Sequence, residues 1–181
     1  PSSKPVHSLL LPLIAVACYL FGALGLGLSA YRADAHHGRG RRIAAFAIAS
    51  IGILIHAAAL VDERRLDPYA VLSLGDTLAL VALVIAITAV VMAVQPRRRG
   101  MAALLLGIAA VLEAAFSEGA REFSVGRPGW ELAFHVAMAT TAFAFLTVGA
   151  ALAMAQVAVA RRLRSRKPLG WLKILTPIES I

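Results

Sequence analysis

The feature that most constrains this chain is the stretch from Gly129 to Ala160, which no proline interrupts and which holds only two ionisable side chains, Glu131 and His135. A helix over Trp130–Ala160 is roughly 46 Å long at about 1.5 Å per residue, against roughly 30 Å of hydrocarbon, so it spans a bilayer and protrudes from it. Trp130 suits one interface. The run Arg161-Arg162-Leu163-Arg164-Ser165-Arg166-Lys167 marks the other end as cytoplasmic under the positive-inside rule. His135 then lies near the outer face, about 7.5 Å below Trp130 by helical rise.

Composition extends this reading to the whole chain. Sixty per cent hydrophobic residues with 15% charged ones exclude an ordinary soluble domain. The formal charge of +8 lies mostly in short segments between apolar spans, where topology places it, so nucleic acid is not an expected partner. The one cysteine, Cys18, lies inside the first apolar span and supports neither a disulfide nor a thiolate metal site.

The pattern predicts an all-α polytopic membrane protein with about five transmembrane helices and a membrane domain over residues 1–160. The spans fall at about 9–31, 43–61, 69–94, 101–116 and 130–160. Leu9–Tyr31 is read as a span rather than a signal peptide, being long and poor in a cleavage signature. Residues 32–42 carry four arginines against Asp34 and are expected in the cytoplasm, whereas residues 62–68 carry Asp62, Glu63 and Asp67 against Arg64 and Arg65 and are expected outside. Arg97-Arg98-Arg99 again marks a cytoplasmic turn, and the glycine-rich residues 118–129 an external loop. The N-terminus is therefore expected outside and the C-terminus inside. Residues 161–181 read as a basic interfacial segment resting on anionic lipids. The 101–116 span is the shortest and is expected to rely on its neighbours. Gly22, Gly25 and Gly27 signal close helix packing.

Ionisable groups inside membrane spans are costly and mark functional sites. His56 lies six residues before Asp62, about 9 Å by helical rise, so it falls at an outer depth similar to that of His135. Each histidine shares a helix face with small residues: Ala45, Ala49, Gly52 and Ala59 for His56, and Ala139, Ala142, Gly149 and Ala153 for His135. Such faces suit either close helix packing, with the histidine bonded to a neighbouring helix, or a flat macrocycle beside an imidazole ligand. Glu131, one turn before His135, is placed to accept its ring N–H or to face water. Glu113 and Asp76 are expected in ion pairs with arginines such as Arg64, Arg65, Arg121 or Arg127. His36-His37 lacks the company a metal site needs, and His7 is a terminal polar residue.

Three segments carry a family resemblance: ILIHAAAL around His56, LSLGDTLALVAL over Leu72–Leu83, and PGWELAFHVAMATTAFAFL over Pro128–Leu146, followed by a basic stretch and TPIES. In this order they resemble the N-terminal part of the cytochrome c assembly protein family, of the CcsA/ResC kind and nearest its YpjD-like inner-membrane branch. The resemblance implies a bacterial inner-membrane protein that handles haem, of b type, near the outer face. It implies iron ligation by His135 most directly and by His56 next, with other membrane subunits or cytochrome assembly components as partners and no catalysis of its own. The chain departs from the family pattern at Ala142 and Phe143, where relatives often carry Ser-Tyr. It also lacks the tryptophan-rich external motif, since Trp130 and Trp171 are its only tryptophans, and in relatives further helices follow the equivalent of Ile181. The alternative expectation is a cofactor-free accessory subunit of a larger membrane complex, whose histidines bond neighbouring helices. A transporter half is disfavoured because no span shows a proline break or an unwound glycine pair at mid-membrane.

Overall fold

A computed structural model describes residues 7–31, 38–66, 74–116 and 130–165. Secondary structure among them is helical throughout: α1 His7–Tyr31, α2 Gly38–Leu66, α3 Leu74–Ala93, α4 Arg99–Phe116 and α5 Trp130–Arg164, with a 3₁₀ turn over Pro96–Arg98 between α3 and α4. Four helices are long and apolar enough to cross a membrane, over Leu10–Tyr31, Arg39–Asp62, Gly75–Ala93 and Phe134–Arg164. That is compatible with a multi-pass membrane protein. The fifth, α4, has 18 residues, roughly 27 Å of helix.

Two helices outrun the apolar spans that locate them. In α2 the helix extends from the predicted 43–61 span into charged residues at both ends, because Arg, Glu and Leu are good helix formers once the chain leaves the apolar region. The last turn of α5 takes in Arg161, Arg162 and Arg164, the start of the predicted interfacial segment, where cations complement the helix C-terminus. Residues 166–181, with Trp171, lie outside the described residues, as do His36, His37 and residues 117–129.

The antiparallel α1–α2 pair is built on small residues. A Cβ on Gly25 would lie 2.6 Å from Ala45 Cβ, one on Gly22 2.9 Å from Ala49 Cβ, and one on Gly52 2.8 Å from Cys18 Cβ. These contacts let the two backbones approach as small-residue faces allow in membranes. Gly27 faces the other way, toward Ala103 on α4. The short α4 lies between α1 and α3, and it contributes Ala102, Leu105, Leu106, Ala109 and Ala110 to the buried core beside Val81, Ala82, Ile85, Ala86 and Ala89 of α3. Burial among neighbours is how a short helix is accommodated. The fifth helix leans mainly on α3, through a row that includes Ala144, Val148 and Ala151.

The outside of the bundle is as apolar as its core. Leu13, Phe21, Leu54, Val91, Val111, Phe145 and Leu146 are all exposed, Leu146 by 71%. A surface of this kind in water is an association or aggregation site, and lipid is its natural cover. Three threonine hydroxyls are satisfied within their own helix: Thr88 donates to Val84 O at 2.8 Å, Thr141 to Ala137 O at 2.8 Å and Thr147 to Phe143 O at 2.9 Å.

Charge is divided between the two ends. The starts of α2 and α4 and the end of α5 gather Arg39, Arg41, Arg42, Arg97, Arg98, Arg99, Arg161, Arg162 and Arg164. Met101, at the start of α4, packs beside Ala155 and Val159 near the end of α5. Burial, and then the charge of Arg42, lowers the Arg99 guanidinium from its ordinary value, so these two cations belong to one cluster. The carboxylates Asp62, Asp76, Glu113 and Glu131 lie toward the opposite helix ends, where α2 also carries Glu63, Arg64 and Arg65.

Candidate functional site

His56 is fully buried, and it is held from two sides. The face of α2 that carries Ala45, Ala49, Gly52 and His56 is the one packed on α1. Because Gly52 has no side chain, the Tyr19 ring lies against α2 there, one helical turn before His56. Its hydroxyl reaches His56 Nδ1 at 3.0 Å, with the rings tilted at 52°. On the other side His56 Nε2 lies 3.0 Å from Oε2 of Glu113, on α4. Glu113 is itself only 4% exposed. This is a close ionic contact, and neither atom has a hydrogen-bond partner among the described residues.

The resulting cluster, Tyr19–His56–Glu113, ties α1, α2 and α4 together. Glu113 meets His56, while the arginines expected from sequence, Arg64, Arg65, Arg121 and Arg127, have side chains outside the described residues. Tyr19 is absent from the sequence reading, since an aromatic residue in an apolar span carries no signal of a polar partner thirty-seven residues away. Thr140 is likewise a surprise, buried on α5 with a hydroxyl that has no partner among the described residues.

His135 is placed quite differently. It is exposed on α5, on a strip that continues through Met138, Ala139, Ala142, Leu146 and Gly149, all exposed. Its imidazole has no hydrogen-bond or ionic partner among the described residues, and Glu131, one turn earlier, is exposed without contacting it. The two histidines thus sit on faces of opposite kind. His56 is closed in by α1 and α4, whereas His135 is open.

The two sites fit a haem iron unequally. An axial imidazole needs one free ring nitrogen and room for a flat macrocycle. His135 offers both, beside the small Ala139 and Ala142. His56 offers neither as packed: both nitrogens are engaged, and the Gly52 contacts with Cys18 and Tyr19 fill the space beside it. No group of three or more His, Cys, Asp or Glu among the described residues is arranged to hold a metal ion.

No protein-family model, curated protein or solved structure matches the chain.

Proposed function

We propose that the protein is a haem-handling component of cytochrome c biogenesis in the bacterial inner membrane, with His135 as the iron ligand from this chain. The observation that carries this reading is the exposed imidazole of His135, without a partner among the described residues, on a strip of small and apolar residues. An unpaired polar group on the apolar face of a membrane helix is costly unless it serves a ligand or a partner. The resemblance of three ordered segments to cytochrome c assembly proteins, one of them centred on His135, selects haem among such ligands. Haem supplies an iron that accepts the imidazole lone pair, and the small side chains of Ala139 and Ala142 leave room beside the ring. The cluster around His56 then supports the bundle behind the site rather than taking the iron. The arginine-rich helix ends support a cytoplasmic placement for that side, with α4 as a fifth crossing and the His135 end outside.

Haem content of the purified protein tests the reading: a stoichiometric haem that is lost in His135→Ala supports it. The exposed α5 strip also favours a second reading, in which His135 bonds a helix of another membrane subunit and no cofactor is held. Protein without haem, together with a partner that dissociates on His135→Ala, selects that one.

A further inference from the structure

The haem reading makes no use of the Tyr19–His56–Glu113 cluster, whose geometry points to a ligand of its own. Nothing larger than an atom fits there. A Cβ on Gly52 would already lie 2.8 Å from Cys18 Cβ and 3.1 Å from the Tyr19 ring, and both His56 and Glu113 are cut off from the surface. An imidazole lone pair and a bare carboxylate oxygen repel at 3.0 Å, so at least one of Nε2 and Oε2 carries a proton. If that proton were only the Nε2–H of a neutral imidazole beside an ionised Glu113, the cluster would carry a net negative charge in an apolar interior. Among the described side chains no cation is paired with either atom. The described titratable side chains toward this end of the surrounding helices are Cys18 and Tyr19 on α1, Asp62 on α2, Asp76 on α3 and Glu131 and His135 on α5; α1 begins here at His7 and α2 ends here on Glu63, Arg64 and Arg65, whose side chains lie outside the described ones.

We propose that the cluster is a buried proton-binding site, in which His56 and Glu113 together hold one proton more than a neutral imidazole and a carboxylate do. In both of its forms Nδ1–H donates to the Tyr19 hydroxyl oxygen. In one form Glu113 is a carboxylic acid whose O–H donates to Nε2. In the other the O–H bond has broken and an N–H bond has formed, giving an imidazolium beside a carboxylate. The proton passes between Oε2 and Nε2 and the cluster is neutral throughout, so no other reactant is needed. Loss of the proton to solvent leaves an uncompensated charge where α1, α2 and α4 meet, which links its occupancy to the closeness of those helices.

Nitrogen-15 NMR of histidine-labelled protein at neutral pH, joined to infrared spectra of glutamate-labelled protein, tests the proposal. Replacing His7, His36, His37 and His135 by glutamine leaves His56 as the sole histidine, so its signal is read with the cluster intact. The expected result is His56 protonated at both nitrogens, or a protonated glutamic acid carbonyl band that Glu113→Gln removes, the two together accounting for one proton per chain. A neutral His56 beside a fully ionised Glu113, with no acid carbonyl band, overturns the proposal. Because both signals are read in protein that keeps Tyr19, His56 and Glu113, a variant that fails to fold does not decide the matter.

Discussion

Gly52 and Tyr19 stand in the relation that makes the buried cluster possible. A methyl group at position 52 would lie 3.1 Å from the Tyr19 ring, and that ring carries its hydroxyl to within 3.0 Å of His56 Nδ1, one turn further along α2. Close helix packing and the polar contact are therefore one device, and three of its consequences can be measured.

Alanine at Gly25 or Gly52 is expected to destabilise the protein by about 1–3 kcal/mol, since the added methyl meets Ala45 Cβ or Cys18 Cβ at distances that force backbones apart. Gly107 and Gly149 have open space around them, and alanine there is expected to be neutral or stabilising by up to ~1 kcal/mol through helix propensity. Unfolding in mild detergent across the four variants checks the contrast.

That contrast also shows how much was legible in the sequence. The face of Ala45, Ala49, Gly52 and His56 and the face of His135, Ala139, Ala142 and Gly149 look alike as patterns of small residues. One is buried against the glycines of α1 and the other is open. Apolar length and arginine clusters locate the helices, because each span must cross on its own. Which faces meet depends on pairing between distant segments, and one chain does not encode that as a period. For the same reason Glu113 could be recognised as an intramembrane acid, yet its partner His56 and the part played by Tyr19 could not.

Truncating either member of the buried pair leaves the other without compensation. His56→Ala or Glu113→Ala is expected to cost about 3–5 kcal/mol. The double variant His56→Leu/Glu113→Leu, which removes both polar groups at similar volume, should recover most of that loss. A double variant no more stable than the alanine singles would show that the two side chains do not act as a pair.

Tyr19→Phe keeps the ring against Gly52 and removes only the hydroxyl, so Nδ1 of His56 loses its partner. A loss of about 1–3 kcal/mol is expected, the cost of an unpaired buried polar group. Equal stability of Tyr19→Phe and the parent in thermal unfolding would mean that this contact contributes nothing.

His135 is exposed and has no described partner, so His135→Ala should change stability by no more than about 0.5 kcal/mol. Its effect belongs to ligand binding alone. His56→Gln, by contrast, should lower stability first and disturb haem only as far as the bundle is disturbed.

The most direct test of haem handling is a reduced-minus-oxidised visible spectrum with pyridine haemochrome quantification, made on parent and His135→Ala protein purified in parallel. Haem at about one per chain in the parent, and most of it gone from a His135→Ala protein that remains folded, is the predicted result. Parent protein without haem after expression with haem supplied, or haem content unchanged by His135→Ala, contradicts the assignment.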